Sequence, residues 1–194
     1  MRGTRRQATT RLLRRGLAFT SLLVVTGGLV AWWWTTDHRE HQHDGVIRAA
    51  ALRYGVDPAL VKAVVWRESR FDARARGQAG EIGLMQLTDA AAQEWAESEG
   101  VYPLPEEHLL SPRTNTLAGT WYLRKLLQRY AQTDQPEVFA LADYNAGRGN
   151  VLKWAKGQSA TNSASFHAGI GFPSTQAYLS AVLERRARYR EEFR

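Results

Sequence analysis

Apolar residues recur every three or four positions along most of the chain from Val46 onward, the spacing of one face of an α-helix. Leu123, Leu126, Leu127 and Tyr130 share such a face and predict a helix over residues 115–130. Residues 46–54 form a short amphipathic run closed by Gly55 at a C′ position. Asp57 and Pro58 then supply an N-cap and a first helical residue, and the helix they open runs to about Ser69. Further helices are predicted over 88–99, 136–144, 150–156 and 174–191. No segment alternates with the period of two that a half-buried strand requires. The pattern gives an all-α domain over residues 46–194.

One stretch is apolar all round. Residues 16–34, GLAFTSLLVVTGGLVAWWW, carry no charge. As a helix they span roughly 28 Å at about 1.5 Å per residue, close to the hydrocarbon thickness of a bilayer. Arg2, Arg5, Arg6, Arg11, Arg14 and Arg15 precede the stretch, and the first acid is Asp37. The positive-inside rule then puts a basic tail, 1–15, in the cytoplasm and everything after Trp34 across the membrane. Trp32, Trp33 and Trp34 stand where an interfacial aromatic belt belongs. The rival reading is a cleaved secretory signal, but no small-x-small site follows the apolar run. With no cysteine there are no disulfides, and lipid attachment through an N-terminal Cys is excluded.

The net charge is +7, of which the six tail arginines account for six, leaving the rest of the chain nearly neutral at +1. A basic isoelectric point is therefore no sign of nucleic-acid binding. Residues 35–45, TTDHREHQHDG, read as a polar stalk. His38, His41 and His43 lie there without a helical register or a carboxylate set around them, so no metal is expected.

Glu68 stands out from this framework. Its neighbours three, four, seven and eight positions back are Val65, Val64, Val61 and Leu60, so it continues the buried face of its helix. A carboxyl group in apolar surroundings has a raised pKa, which suits a general acid at neutral pH. A buried acid paired with Arg67, Arg70 or Arg74 would show the same pattern, and periodicity alone leaves both readings open.

The residues that follow carry a resemblance. ESRFDARARGQAGEIGLMQ, residues 68–86, resembles the catalytic motif of soluble-lytic-transglycosylase (SLT) domains, glycoside hydrolase family 23, through Glu68, Ser69, Phe71, Ala75, Gly80, Gly83, Leu84, Met85 and Gln86. Two later segments match in order: SPRTNTLAGTWYLRKLLQRY through Pro112, Asn115, Gly119, Tyr122 and Leu123, and LADYNAGRGNV through Ala142, Tyr144, Asn145, Ala146 and Gly147. FPSTQAYLSAV matches more weakly through Thr175 and Tyr178.

The resemblance implies a lysozyme-like, mainly helical domain that cleaves the β-1,4 bond between N-acetylmuramic acid and N-acetylglucosamine in peptidoglycan, without water and without a cofactor. Together with the apolar segment 16–34 and the arginines before it, this gives a bacterial inner-membrane protein whose catalytic domain faces the periplasm, or a periplasmic one if the leader is cleaved. Glu68 would act as acid and then as base. Tyr144 would hydrogen-bond its carboxyl group, Gln86 would bond the sugar, Met85 would line the wall, and Asn145 would hold the loop or bind glycan. Tyr178 would line the cleft or simply pack. Ser69 would either cap the helix end or meet substrate. Trp66, Trp95, Trp121 and Trp154 are core residues or sugar-stacking platforms. Peptidoglycan strands and the membrane are the partners implied; no protein partner is.

Three positions depart from the family pattern. Gly77 stands where Ser is usual, Glu81 where Ala is frequent, and Ser174 where Glu is usual. Glu81 admits two readings: a loop acid bonding backbone N–H groups or pairing with Arg74 or Arg76, or a second carboxylate that activates water and makes the protein a lysozyme-type hydrolase. A non-catalytic glycan-binding module is the remaining alternative.

Overall fold

A computed structural model describes residues 26–28, 34 and 37–193. The expected basic tail lies outside these residues, and so does most of the expected membrane segment. No helix among the described residues is long and apolar enough to cross a membrane. The chain divides into two units, 1–42 and 43–194. In the first, residues 37–41 are helical, and the His38 ring stacks on Trp34 at 6.0 Å between centroids.

In the second unit, α1 (Asp44–Tyr54) ends at Gly55, whose φ of 64° lets the chain turn sharply. The start of α2 (Pro58–Ser69) is set by Asp57, whose side chain accepts from Ala59 N–H at 2.9 Å. Thr88 caps α3 (Asp89–Glu99) in the same way. Then follow α4 (Pro112–Arg129), α5 (Pro136–Ala146), α6 (Arg148–Trp154), α7 (Ser163–Gly169) and α8 (Pro173–Tyr189). Two 3-10 turns, Glu106–Leu110 and Gly157–Ala160, fill connections. The all-α expectation holds: among the described residues the only extended pairing is a pair of isolated bridges, Arg76 with Ile82 and Ile82 with Leu87.

The core forms around α2. Ala59, Leu60, Val61, Ala63, Val64 and Val65 are all buried, so this helix is apolar on nearly every side. It packs most extensively against α8, while α1 lies against α4 and α4 against α5. Phe139 of α5 stacks on Phe166 of α7 at 4.2 Å, which gives the short α7 its anchor. Each such side chain contributes about 1.5–3 kcal/mol through burial.

Two charged residues tie the bundle together. Lys62 is fully buried inside α2, where its ammonium meets Asp44 at 2.9 Å and Glu192 at 2.6 Å and faces the Tyr189 ring at 4.7 Å. Arg186 of α8 bonds both Asp57, the cap of α2, and Glu137 in the first turn of α5, each at 2.8 Å. These contacts fix α8 against α2, and the register of those two helices sets the geometry of the site.

Candidate functional site

The last turn of α2 delivers Glu68 into a cavity of about 470 Å³. Its lining includes Glu81, Gln86 and Thr88 from the loop after α2, Tyr122 from α4, and Asp143, Tyr144 and Asn145 from the end of α5. Burial is the main influence on Glu68 and pushes its carboxyl group up from 4.5 to about 7. The nearby Glu81 acts in the same direction, while a hydrogen bond from Tyr178 and the charge of Arg67 oppose it. At neutral pH Glu68 therefore holds comparable amounts of acid and carboxylate.

The loop from Arg70 to Thr88 is held from beneath. Ser69 Oγ lies 2.8 Å from Leu84 O and 3.1 Å from Val65 O, so the residue after Glu68 ties the helix end to the returning loop. The Ser69 side chain is buried there. Asn115, fully buried in α4, holds three backbone groups at once. Its Nδ2 donates to Ile82 O at 2.8 Å and to Leu109 O at 2.9 Å, and its Oδ1 accepts from Met85 N–H at 2.8 Å.

Two glycines make this docking possible. Gly83 has a φ of 79°, and a Cβ there would overlap the Asn115 amide and stand 2.6 Å from Leu109 O. At Gly119 a Cβ would meet the Met85 thioether and sit 2.8 Å from Met85 Cβ. Met85 is thus fully buried between the loop and α4, which corrects the expectation that it lines the cleft wall. A small residue on α4 is what lets it in.

Gln86 does line the cavity, with a φ of 45° that is uncommon outside glycine. Its Nε2 donates to Ala75 O at 3.1 Å and Gly83 O at 3.0 Å, so its donors brace the loop and only Oε1 is left for a ligand. Arg70 and Phe71 also have positive φ, so unusual backbone concentrates beside Glu68.

The largest correction concerns the two tyrosines. Tyr178 of α8, buried at 1% exposure, donates to Glu68 Oε1 at 2.6 Å. Tyr144, expected to make that bond, instead donates to Met85 O at 2.7 Å, across the base of the loop. Tyr144 remains in the cavity lining and its hydroxyl feels the Glu68 charge. Asn145 also lines the cavity, and its Oδ1 accepts from the buried Thr175 Oγ1 at 2.8 Å, which joins α5 to α8.

Glu81 faces the cavity and accepts from Ala79 N–H at 3.1 Å. Of the loop-acid alternatives, the bond to a backbone N–H is present, whereas Arg76 bonds Glu106 at 2.7 Å and not Glu81. None of the four tryptophans is in the cavity lining. Trp95 is core and donates to Tyr54 Oη at 2.8 Å, and Trp66 lies under the Arg70 and Arg185 guanidiniums. The aromatic wall is Tyr122 and Tyr144, tilted rings 5.7 Å apart.

Tyr122 and Asp143 were not singled out from the sequence. Tyr122 stands within a matched segment, to which no role at the site is attached. Asp143 is 2% exposed and accepts from Arg129 at 2.6 Å and from Tyr130 Oη at 2.7 Å, fixing the helix end that carries Tyr144 and Asn145. An acid next to Tyr144, on a helix whose middle, residues 138–142, is wholly apolar, is the signal the sequence offers.

Residues 45–166 match the family model described as the Transglycosylase SLT domain. The chain belongs to that family. This SLT-domain chain is 36% identical over 123 residues to membrane-bound lytic murein transglycosylase C of Klebsiella pneumoniae, a match covering 60% of this chain and 34% of that protein. The protein of the same name from Cronobacter sakazakii is 32% identical over the same shares.

Among solved structures, an inactive Glu-to-Gln mutant of the lytic transglycosylase Slt from Pseudomonas aeruginosa superposes with a TM-score of 0.72 at 27% identity, covering 79% of this chain and 24% of that one. The 70 kDa soluble lytic transglycosylase of Escherichia coli gives 0.68 at 27% identity, covering 77% and 24%. The chain spans about a third of the curated relatives' length and about a quarter of the solved chains'.

Proposed function

We propose that this protein is a membrane-anchored peptidoglycan lytic transglycosylase in which Glu68 alone serves as acid and base. The observation that carries the reading is Glu68 itself: a carboxyl group raised to about 7, lining the cavity and oriented by a buried tyrosine. Its membership of the SLT family, the names of its relatives and the Glu-to-Gln change in the inactive Pseudomonas aeruginosa mutant support the same reading.

In the first step the protonated Glu68 gives its proton to the glycosidic oxygen, and the bond from that oxygen to the muramic acid anomeric carbon breaks. The resulting carboxylate then takes the proton of the 6-hydroxyl on the same sugar, whose oxygen closes on the anomeric carbon. A 1,6-anhydro end forms, the acid is regenerated and no water is consumed. Ordinary glycosidases need two carboxylates because the nucleophile must come from the enzyme or from water. Here the substrate holds its own nucleophile at the reacting carbon, an intramolecular arrangement with a high effective concentration. A pKa near ambient pH serves both steps, since each needs the opposite protonation state.

Residues 16–34 are proposed to hold the catalytic domain at the outer face of the bacterial inner membrane, with peptidoglycan strands as its partner. Incubating wild-type protein and Glu68→Gln with purified sacculi tests the role of Glu68: the wild type clears the suspension and the variant does not. Clearing by both would refute the single-acid mechanism.

A further inference from the structure

Gly77 and Glu81 depart from the SLT pattern together, and the structure shows them to be one unit. A Cβ built on Gly77 would overlap Glu81 Oε2 and stand 3.0 Å from Glu81 Cδ and 2.9 Å from Gln86 Oε1. The Glu81 carboxylate therefore occupies the volume that any side chain at position 77 would need. The backbone holds the two residues in register, since Gly77 N–H donates to Glu81 O at 2.8 Å. One oxygen, Oε2, accepts from Ala79 N–H; Oε1 has no protein partner among the described residues, and the residue lines the same cavity as Glu68.

We infer that Glu81 is a substrate-positioning residue, seated by Gly77, whose free oxygen accepts a hydrogen bond from a donor on the glycan, an acetamido N–H or a sugar hydroxyl. The inference rests on the glycan-cleaving reading above. Three features support it. The carboxylate is clamped by one oxygen, so little side-chain freedom is lost when the other binds. A bond to a charged acceptor is about twice as strong as a neutral one. Gln86 beside it has spent its donors on the loop, so Gln86 Oε1 and Glu81 Oε1 together make an acceptor-rich wall suited to a ligand dense in N–H and O–H groups.

The test measures binding of peptide-free glycan strands by calorimetry, in a Glu68→Gln background where turnover does not interfere. Adding Glu81→Gln weakens the affinity about tenfold, the worth of one charge-assisted bond. Gly77→Ala, which displaces the carboxylate without removing it, weakens it comparably. Gly77→Ser with Glu81→Ala recovers part of the loss, because a hydroxyl takes the vacated volume. Melting temperatures of all forms are recorded in parallel. Unchanged affinity in Glu81→Gln, or a loss that appears only with a lowered melting temperature, overturns the inference. Separately, an otherwise wild-type protein that releases no fragments from sacculi would count against the proposed activity and leave the binding result to stand or fall by itself.

Discussion

Tyr178 Oη donates to Glu68 Oε1 at 2.6 Å, joining the last helix to the second across 110 positions of sequence. The bond stabilises the carboxylate form and offsets part of the effect of burial. Removing it therefore raises the Glu68 pKa further and frees its rotamer. Tyr178→Phe is expected to lower kcat about 10–100-fold, equivalent to about 1.4–2.7 kcal/mol, and to move the alkaline limb of the pH–rate profile upward. Tyr144→Phe cuts the tie to Met85 O and slows the reaction by loosening the loop, with a smaller effect on that limb. The reverse pattern in the two profiles would contradict the assignment.

Glu81 acts on the same group with the opposite sign. The groups bearing on Glu68 are Tyr178, Arg67, Tyr144 and Glu81, of which Arg67 and the Tyr178 bond favour the carboxylate while Glu81 disfavours it. Glu81→Gln is expected to move the alkaline limb to lower pH, because the general acid then loses its proton sooner. A limb that stays in place would show that the two carboxylates do not interact across the cavity.

Function at Glu68 opposes stability at neutral pH. Its folded-state pKa of about 7 stands above the ordinary 4.5, so the folded protein holds the proton more tightly than the unfolded chain. That stabilisation is complete below about pH 4.5 and is lost as the pH rises through about 7, a difference of about 3 kcal/mol once the group is fully ionised. Glu68→Gln is expected to raise Tm at pH 8 by several degrees and to change it little at pH 4.5. Calorimetric scans at the two values check this; an equal shift at both would mean that Glu68 ionises freely in the folded protein.

Asn115 carries the loop from the other side. Asn115→Ala leaves Met85 N–H, Ile82 O and Leu109 O without their partner in a closed interior, and each orphaned group costs about 1–3 kcal/mol. A loss of about 3 kcal/mol or more is expected in urea unfolding, together with loss of activity although Asn115 is fully buried and does not line the cavity. Full activity in a destabilised variant would show that the loop keeps its shape without this residue.

Much of the fold was legible because its signals are local. The Asp57-Pro58 start marks a helix that begins where the sequence predicts, and the helix predicted over 88–99 begins at Asp89. The short α7 is not legible because Ser163, Ser165 and Gly169 give no apolar repeat; its aromatic anchor, Phe166, acts through a ring in α5. The site was legible as a set of residues but less so as a set of bonds. That Glu68 lies at a buried helix end follows from its spacing, whereas the choice between Tyr144 and Tyr178 as its partner depends on how α5 and α8 dock, which no local pattern encodes. Met85 was misplaced for a similar reason, since its burial follows from a glycine on another helix, Gly119.

Mass spectrometry of the fragments released from peptidoglycan by the wild-type protein, with Glu68→Gln as control, tests the central claim most directly. The account predicts fragments ending in 1,6-anhydromuramic acid, lighter by one water than hydrolysis products, from the wild type alone. Reducing muramic acid ends would contradict it, because they would mean that water attacks and that a second group, with Glu81 the nearest in kind, must activate it.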